Sequence, residues 1–248
     1  MPGHPRFTVV AQTDHHVPHM VHPCDTCAAR QFSACGPLDA GEQNRLAEIM
    51  NTIKINPNET IFDESEPARF VFTVREGAVK VYKLLADGRR QVTGFLGPGD
   101  FLGLTHNEAY AYSAEAVTPT VLCRFPRQKL ESLLAEIPRL EQRLLGIASH
   151  ELAAAQDQMM LLGRKSARER VVSFLLMLSD AAVRRNQQDN PVLLPMTRTD
   201  IADYLGLTIE TVSRTLSRLK AKGLIQLRDE RQIALTNLEA LRDIAASN

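Results

Sequence analysis

The sequence predicts an α+β protein: a β-barrel or jelly roll, then one long helix, then a winged helix-turn-helix. Three observations carry this prediction. Short β-rich runs separated by turn residues fill residues 57–126. An unbroken helical stretch runs from Pro138 to about Arg164. The last third combines two short helical periods, a Gly turn between them and a hairpin pattern after them.

A chain of 248 residues suffices for one large domain or two modest ones. Its 44% hydrophobic and 23% charged residues are ordinary for a soluble globular protein. No apolar run approaches the ~18 residues of a membrane span, and the polar, His- and Pro-rich N-terminus has no signal h-region. A cytoplasmic protein without membrane contact is expected. In that compartment cysteines more often mean metal or redox chemistry than structural disulfides. The net charge of zero hides an asymmetry: residues 164–248 carry 14 Lys and Arg against 10 Asp and Glu, and residues 1–163 carry 15 against 19. The basic end points weakly to nucleic acid.

Residues 1–36 show no sustained period. They hold three of the four cysteines, Cys24, Cys27 and Cys35, spaced C-x2-C-x7-C; the fourth, Cys123, lies far downstream. Four thiolates suit a tetrahedral zinc or an iron–sulfur cluster, but the spacing is not the paired C-x2-C of a zinc ribbon. Residues 38–55 have apolar positions at Leu46, Ile49, Met50 and Ile53, which predicts a short helix. Strands are predicted at Arg69–Val74, Ala78–Leu84, Arg90–Phe95 and Thr120–Phe125, with turns at Glu76-Gly77, Asp87-Gly88 and Gly97-Pro98-Gly99-Asp100.

Within the long helix one stripe advances by 3, 4, 3, 4, 3: Leu145, Ala148, Leu152, Ala155, Met159, Leu162. That is the a/d seam of a coiled coil, flanked by polar Gln142, His150, Gln156 and Gln158, and it predicts a parallel homodimer. The alternative is a helix packed on its own domain. A further apolar helix is predicted over 168–185, then a loop or short strand in NQQDNPVLLP.

The helix-turn-helix follows. Thr197 or Thr199 can cap a first helix that turns Ile201, Ala202 and Leu205 inward, and Gly206 suits the tight turn. A second helix begins near Thr208 with Val212, Leu216 and Leu219 inward, and Gly223 closes it. Leu224–Leu227 and Gln232–Leu235 form a hairpin wing. Burying that face of the second helix turns Glu210, Ser213 and Arg214 outward at its N-terminal end, the part of a recognition helix that reaches base edges. Arg can bond guanine bidentately and a carboxylate can accept from the cytosine amine. Glu210 and Arg214, four apart, could address one G·C pair of double-stranded DNA.

With these residues in place the chain resembles the Crp–Fnr superfamily. The segment Ile209-Glu210-Thr211-Val212-Ser213-Arg214 matches the E-x-x-S-R reading motif of the Fnr branch, and the likeness spans nearly the whole chain. The x7 gap resembles that of alphaproteobacterial Fnr-like and FixK-like regulators. The resemblance implies a cysteine-rich segment (1–36), a cyclic-nucleotide-binding-like β-roll (37–138), a dimerisation helix (139–164) and a winged helix-turn-helix (165–248). It implies TTGAT-type palindromic sites, with Arg214 on the guanine, Glu210 on its cytosine and Ser213 in support. It also implies an oxygen-labile [4Fe-4S] cluster on Cys24, Cys27, Cys35 and Cys123, with RNA polymerase met by exposed roll loops such as Leu85–Arg90. DNA binding would last while the cluster is intact and activate anaerobic or microaerobic genes, or repress others.

Three alternatives frame that reading. Zinc could use His22 beside Cys24, with His15, His16 and His19 near by. A cofactor-free regulator, or one answering another redox signal, is also possible. An enzyme is not supported: there is no nucleophile–base pair or phosphate loop, and His106 and His150 are isolated. No cyclic nucleotide is expected, because residues 104–114 offer no Arg for its phosphate. Some Fnr-type proteins place an acid in the dimer seam; here that position is Ala155, with Asp157 off the stripe, so dimerisation is expected to be less dependent on the cofactor.

Overall fold

A computed structural model describes Cys24 and residues 26–246. Two compact units emerge, one formed by Met1–Lys83 with Gly94–Glu151 and the other by Leu84–Thr93 with Leu152–Asn248.

In the first unit a 3₁₀ turn, Arg30–Phe32, precedes helix α1, Ala40–Glu48, which Asp39 starts by a capping box with Glu42. The predicted helix over 38–55 is therefore two elements. Residues 51–55 form a strand, β1, Asn51–Ile55. The run Thr52-Ile53-Lys54-Ile55 is rich in β-branched residues and alternates, with Ile53 and Ile55 buried, so period 2 overrides the helical spacing of Ile49 and Ile53.

The strands continue as β2 (Thr60–Phe62), β3 (Phe70–Glu76), β4 (Val79–Leu84), β5 (Arg90–Leu96), β6 (Phe101–Leu102), β7 (Ser113–Ala116) and β8 (Thr120–Pro126). The four predicted strands are present as β3, β4, β5 and β8. The short β2, β6 and β7 carry too few residues to show a period. Two four-stranded sheets form, β1-β8-β3-β6 and β2-β7-β4-β5. Their inner faces bury Phe62, Phe72, Val81, Ala114 and Leu122. The space between them is filled by aromatic rings: Phe62 stacks on Tyr110 at 3.8 Å, and the Tyr110 hydroxyl donates to the Phe70 carbonyl at 2.8 Å.

The outer face of the β1-β8-β3-β6 sheet carries a second core. Val71 and Phe125 meet Leu46 of α1, Leu130 and Leu133 of α2 (Arg127–Glu136), and Leu140 and Leu144 of α3 (Pro138–Arg164). Helix α3 therefore has two apolar stripes. One packs on its own unit. The other has Leu145, Leu152 and Met159 at 67%, 61% and 64% exposed among the described residues.

The second unit packs α4 (Ala167–Arg184), α5 (Arg198–Leu205), α6 (Ile209–Ala221) and α7 (Leu238–Ala246) around Phe174, Leu205, Leu219 and Leu241. Beside them lies a three-stranded sheet, ordered β10 (Ile225–Leu227), β11 (Gln232–Leu235), β9 (Val192–Leu193). The wing is thus a hairpin with a third strand drawn from the NQQDNPVLLP segment. Within this unit Arg90 donates to Asp200 and to Asp203, each at 2.9 Å.

Candidate functional site

The first candidate site is the exposed end of α6. Thr197 caps α5 through a reciprocal capping box with Asp200, and Gly206 takes the left-handed conformation (φ +60°) that ends the helix and turns the chain. Thr208 then caps α6 by accepting from the Thr211 amide at 3.2 Å. Val212, Leu216 and Leu219 are buried and hold the helix on its neighbours. Glu210, Ser213 and Arg214 are all exposed on the opposite face. Hydrogen bonds from Glu210's own backbone amide and from the Thr208 hydroxyl, with the nearby Arg214 charge, hold the Glu210 carboxyl below the usual range. At neutral pH it is a carboxylate that can only accept.

The second candidate site is a cavity of about 30 Å³ in the first unit, lined by Cys24, Cys27, Cys35 and Cys123 together. All four cysteines are partly buried and none is in a disulfide. Cys123 lies in β8 opposite Thr73 of β3 and Thr52 of β1, on the outer face of the sheet rather than inside the roll. It belongs to the same apolar cluster as Cys35. The other three cysteines arrive on a loop of tight turns: Cys27 N donates to Cys24 O at 3.4 Å, Arg30 N to Cys27 O at 3.1 Å, and Cys35 N to Ser33 Oγ at 3.2 Å. Burial pushes the Cys35 thiol up to about 11 and the Cys123 thiol up to about 12, the latter helped by the negative charge of the three other cysteines. Such thiols stay protonated at neutral pH until a soft metal displaces the proton. Among the described residues, no three His, Cys, Asp or Glu side chains are gathered to close on a single metal ion. His15, His16, His19 and His22 lie outside the described residues.

Several residues that the sequence did not single out build this site. Gly99, in the Gly97-Pro98-Gly99-Asp100 turn, has φ +96°, and a Cβ there would stand 2.8 Å from Phe32 Cβ. The turn is therefore the landing place of the cysteine loop as well as a strand connection. Arg143 of α3 donates to the carbonyls of Phe32 at 3.0 Å and Ser33 at 3.2 Å, tying the loop to the helix. Gln43 of α1 and Thr73 of β3 line the cysteine cavity, as do Arg30 and Arg75. Only the turn residues left a mark in the sequence; the others are ordinary polar positions until folding brings them together.

Known proteins match along nearly the whole chain. Residues 169–244 match the Crp-like helix-turn-helix domain, and residues 52–137 match the cyclic nucleotide-binding domain. The transcriptional activatory protein AadR of Rhodopseudomonas palustris is 40% identical over 218 residues, 84% of this chain and 91% of that protein. The transcriptional activator protein FnrL of Cereibacter sphaeroides is 36% identical over 240 residues, 95% of this chain and 97% of that protein. Among solved structures, FixK2 from Bradyrhizobium japonicum superposes with a TM-score of 0.75 at 40% identity, covering 81% of this chain and 99% of that one.

Proposed function

This chain belongs to the Crp–Fnr superfamily of DNA-binding transcriptional regulators, and from that premise we propose that it is an oxygen-responsive homodimeric activator holding a [4Fe-4S] cluster on Cys24, Cys27, Cys35 and Cys123. The observation that carries this reading is that all four cysteines line one cavity. The surroundings fit such a group. Four thiol donors suit iron, Arg30 and Arg75 offset the negative charge of a thiolate-bound cluster, and two buried polar atoms beside the cysteines have no partner. When bound, the cluster supplies an oxygen-labile, thiolate-ligated centre.

Among the described residues no three His, Cys, Asp or Glu side chains gather closely enough for one metal ion, which favours iron–sulfur over zinc. Bonds of about 2.3 Å to one zinc draw four thiolates to within about 4 Å of each other, whereas a cluster core holds them further apart. The roll takes no cyclic nucleotide in this reading. Its interior is occupied by Phe62, Phe72 and Tyr110, and the Tyr112 hydroxyl accepts from the Gly103 amide at 3.0 Å. The protein works in the cytoplasm and is not an enzyme.

The chain's own residues relate loop to helix to DNA. Arg143 carries the position of the cysteine loop to α3. The stripe Leu145, Ala148, Leu152, Ala155, Met159 and Leu162, exposed except at the partly buried Leu162, pairs with its counterpart on a second copy, each exposed large side chain contributing about 1.5–3 kcal/mol on burial. Two α6 helices then read TTGAT-type half-sites of double-stranded DNA, with Arg214 on guanine, Glu210 on cytosine and Ser213 in support. Leu85 and its neighbours, 50% exposed at Leu85, offer RNA polymerase a surface. Because Ala155 puts no acid in the seam, the cofactor-free protein remains dimeric at micromolar concentration; strict monomers by light scattering would refute this.

The test of the cofactor is anaerobic purification followed by a visible spectrum and iron and sulfide assays. A broad band that bleaches in air, with iron and labile sulfide, is expected. Stoichiometric zinc without sulfide overturns the reading.

A further inference from the structure

We infer that Gln43 and Thr73 are hydrogen-bond donors to the sulfur atoms assembled at the cysteine site, and that they tune the stability and reduction potential of the group held there. The inference rests on the cluster reading above.

Gln43 Nε2 and Thr73 Oγ1 are buried and have no hydrogen-bond partner. The residues are 6% and 5% exposed. A third such atom, Arg124 Nε, belongs to a guanidinium lying 4.5 Å over the Phe70 ring, so its group has a partner of another kind. Among the described residues Gln43 Nε2 and Thr73 Oγ1 have no partner, and both residues line the cavity shared by the four cysteines. They approach it from two walls. Thr73 is the cross-strand partner of Cys123, so the two side chains leave the same face of the sheet side by side. Gln43 comes from α1, whose capping box at Asp39 fixes its start.

An unpaired buried donor costs about 1–3 kcal/mol. On its other side Thr73 borders the apolar core of Leu46, Phe125 and Leu140, which offers its hydroxyl no partner. Thiolate and sulfide are good acceptors for an amide N–H or a hydroxyl. Such bonds stabilise the more negative, reduced form of a cluster and raise its potential. The two donors would therefore be satisfied only when the site is filled.

The experiment uses full-length protein, anaerobically reconstituted with iron and sulfide, comparing wild type with Gln43→Leu, Thr73→Val, the double variant and Thr73→Ser. Each apolar variant is expected to retain iron and sulfide while its midpoint potential falls. The change is about tenfold in the reduced-to-oxidised ratio at fixed potential, about 59 mV for one electron. Thr73→Ser, which keeps the hydroxyl, returns the wild-type value. Thermal melting supplies a second readout. Apolar replacement should raise the Tm of the cofactor-free protein and shrink the gain in Tm on loading, whereas a purely structural role would lower both forms alike. If the Thr73→Val protein does not fold, Gln43→Leu and Thr73→Ser still carry both measurements. A loaded wild type whose variants keep the same potential and the same gain in Tm removes this inference alone. A wild type that takes up no iron and sulfide removes the cluster reading with it.

Discussion

The reading head and the cysteine site are built in opposite ways. Residues 197–223 make the reading head from one continuous stretch, with caps at Thr197 and Thr208, a left-handed Gly206 and a buried stripe on α6. The residues proposed to read bases, Glu210, Ser213 and Arg214, are exposed. The cysteine site draws on a loop, α1, β3 and β8 across about a hundred residues, with Arg143 reaching in from α3. Its thiols are partly buried, burial raises the pKa of Cys35 and Cys123, and among the described residues two neighbouring polar atoms, Gln43 Nε2 and Thr73 Oγ1, lack hydrogen-bond partners. A local motif can be complete without its ligand. A site gathered from distant segments around buried polar groups is complete only with one.

This contrast is open to direct test. The largest effect is expected from Cys123→Ser, which should reduce bound iron and sulfide to background while circular dichroism reports an unchanged fold; retention of wild-type iron would break the distinction. Next comes Arg214→Ala, expected to cost about 1–3 kcal/mol at the half-site guanine and to flatten preference there. Iron content should not change, and binding assays across base-substituted sites check the specificity. Gly99→Ala forces a side chain into φ +96° and against Phe32. It should cost about 1–3 kcal/mol of stability and speed iron loss, read by melting and by chelator challenge, without altering base preference. The smallest effect belongs to Arg143→Met, which removes two hydrogen bonds worth about 0.5–1.5 kcal/mol each. It should lower Tm by a few degrees and weaken the link between iron content and DNA binding; equal iron dependence in the variant would show that the link runs elsewhere.

Much of the fold was legible because its signals are local. Val212, Leu216 and Leu219 fall at helical spacing, the 3-4 stripe from Leu145 to Leu162 marks α3, and the turn residues separate the longer strands. The same reasoning misread residues 51–55, since Ile49 and Ile53 are four apart whether or not the helix continues past Ile49. It also passed over β2, β6, β7, α2 and α7, three of them strands of four residues or fewer whose pairing lies far away in the sequence. For the cysteine site, residue types singled out the four thiols, but neither Cys123's side of the sheet nor its neighbours could be read from spacing.

By itself the amino-acid sequence determined the reading helix, the long helix with its exposed stripe and the identity of the four thiols, because capping, periodicity and side-chain chemistry act within a few residues. Tertiary structure alone decided that Cys123 faces outward from the roll toward the cysteine loop, that Gly99 receives Phe32, that Arg143 ties that loop to α3, and that Gln43 and Thr73 stand unpartnered beside the thiols. Those contacts join residues tens to more than a hundred positions apart, and only the register of β8 between β1 and β3 and the packing of the helices on that sheet bring them within reach.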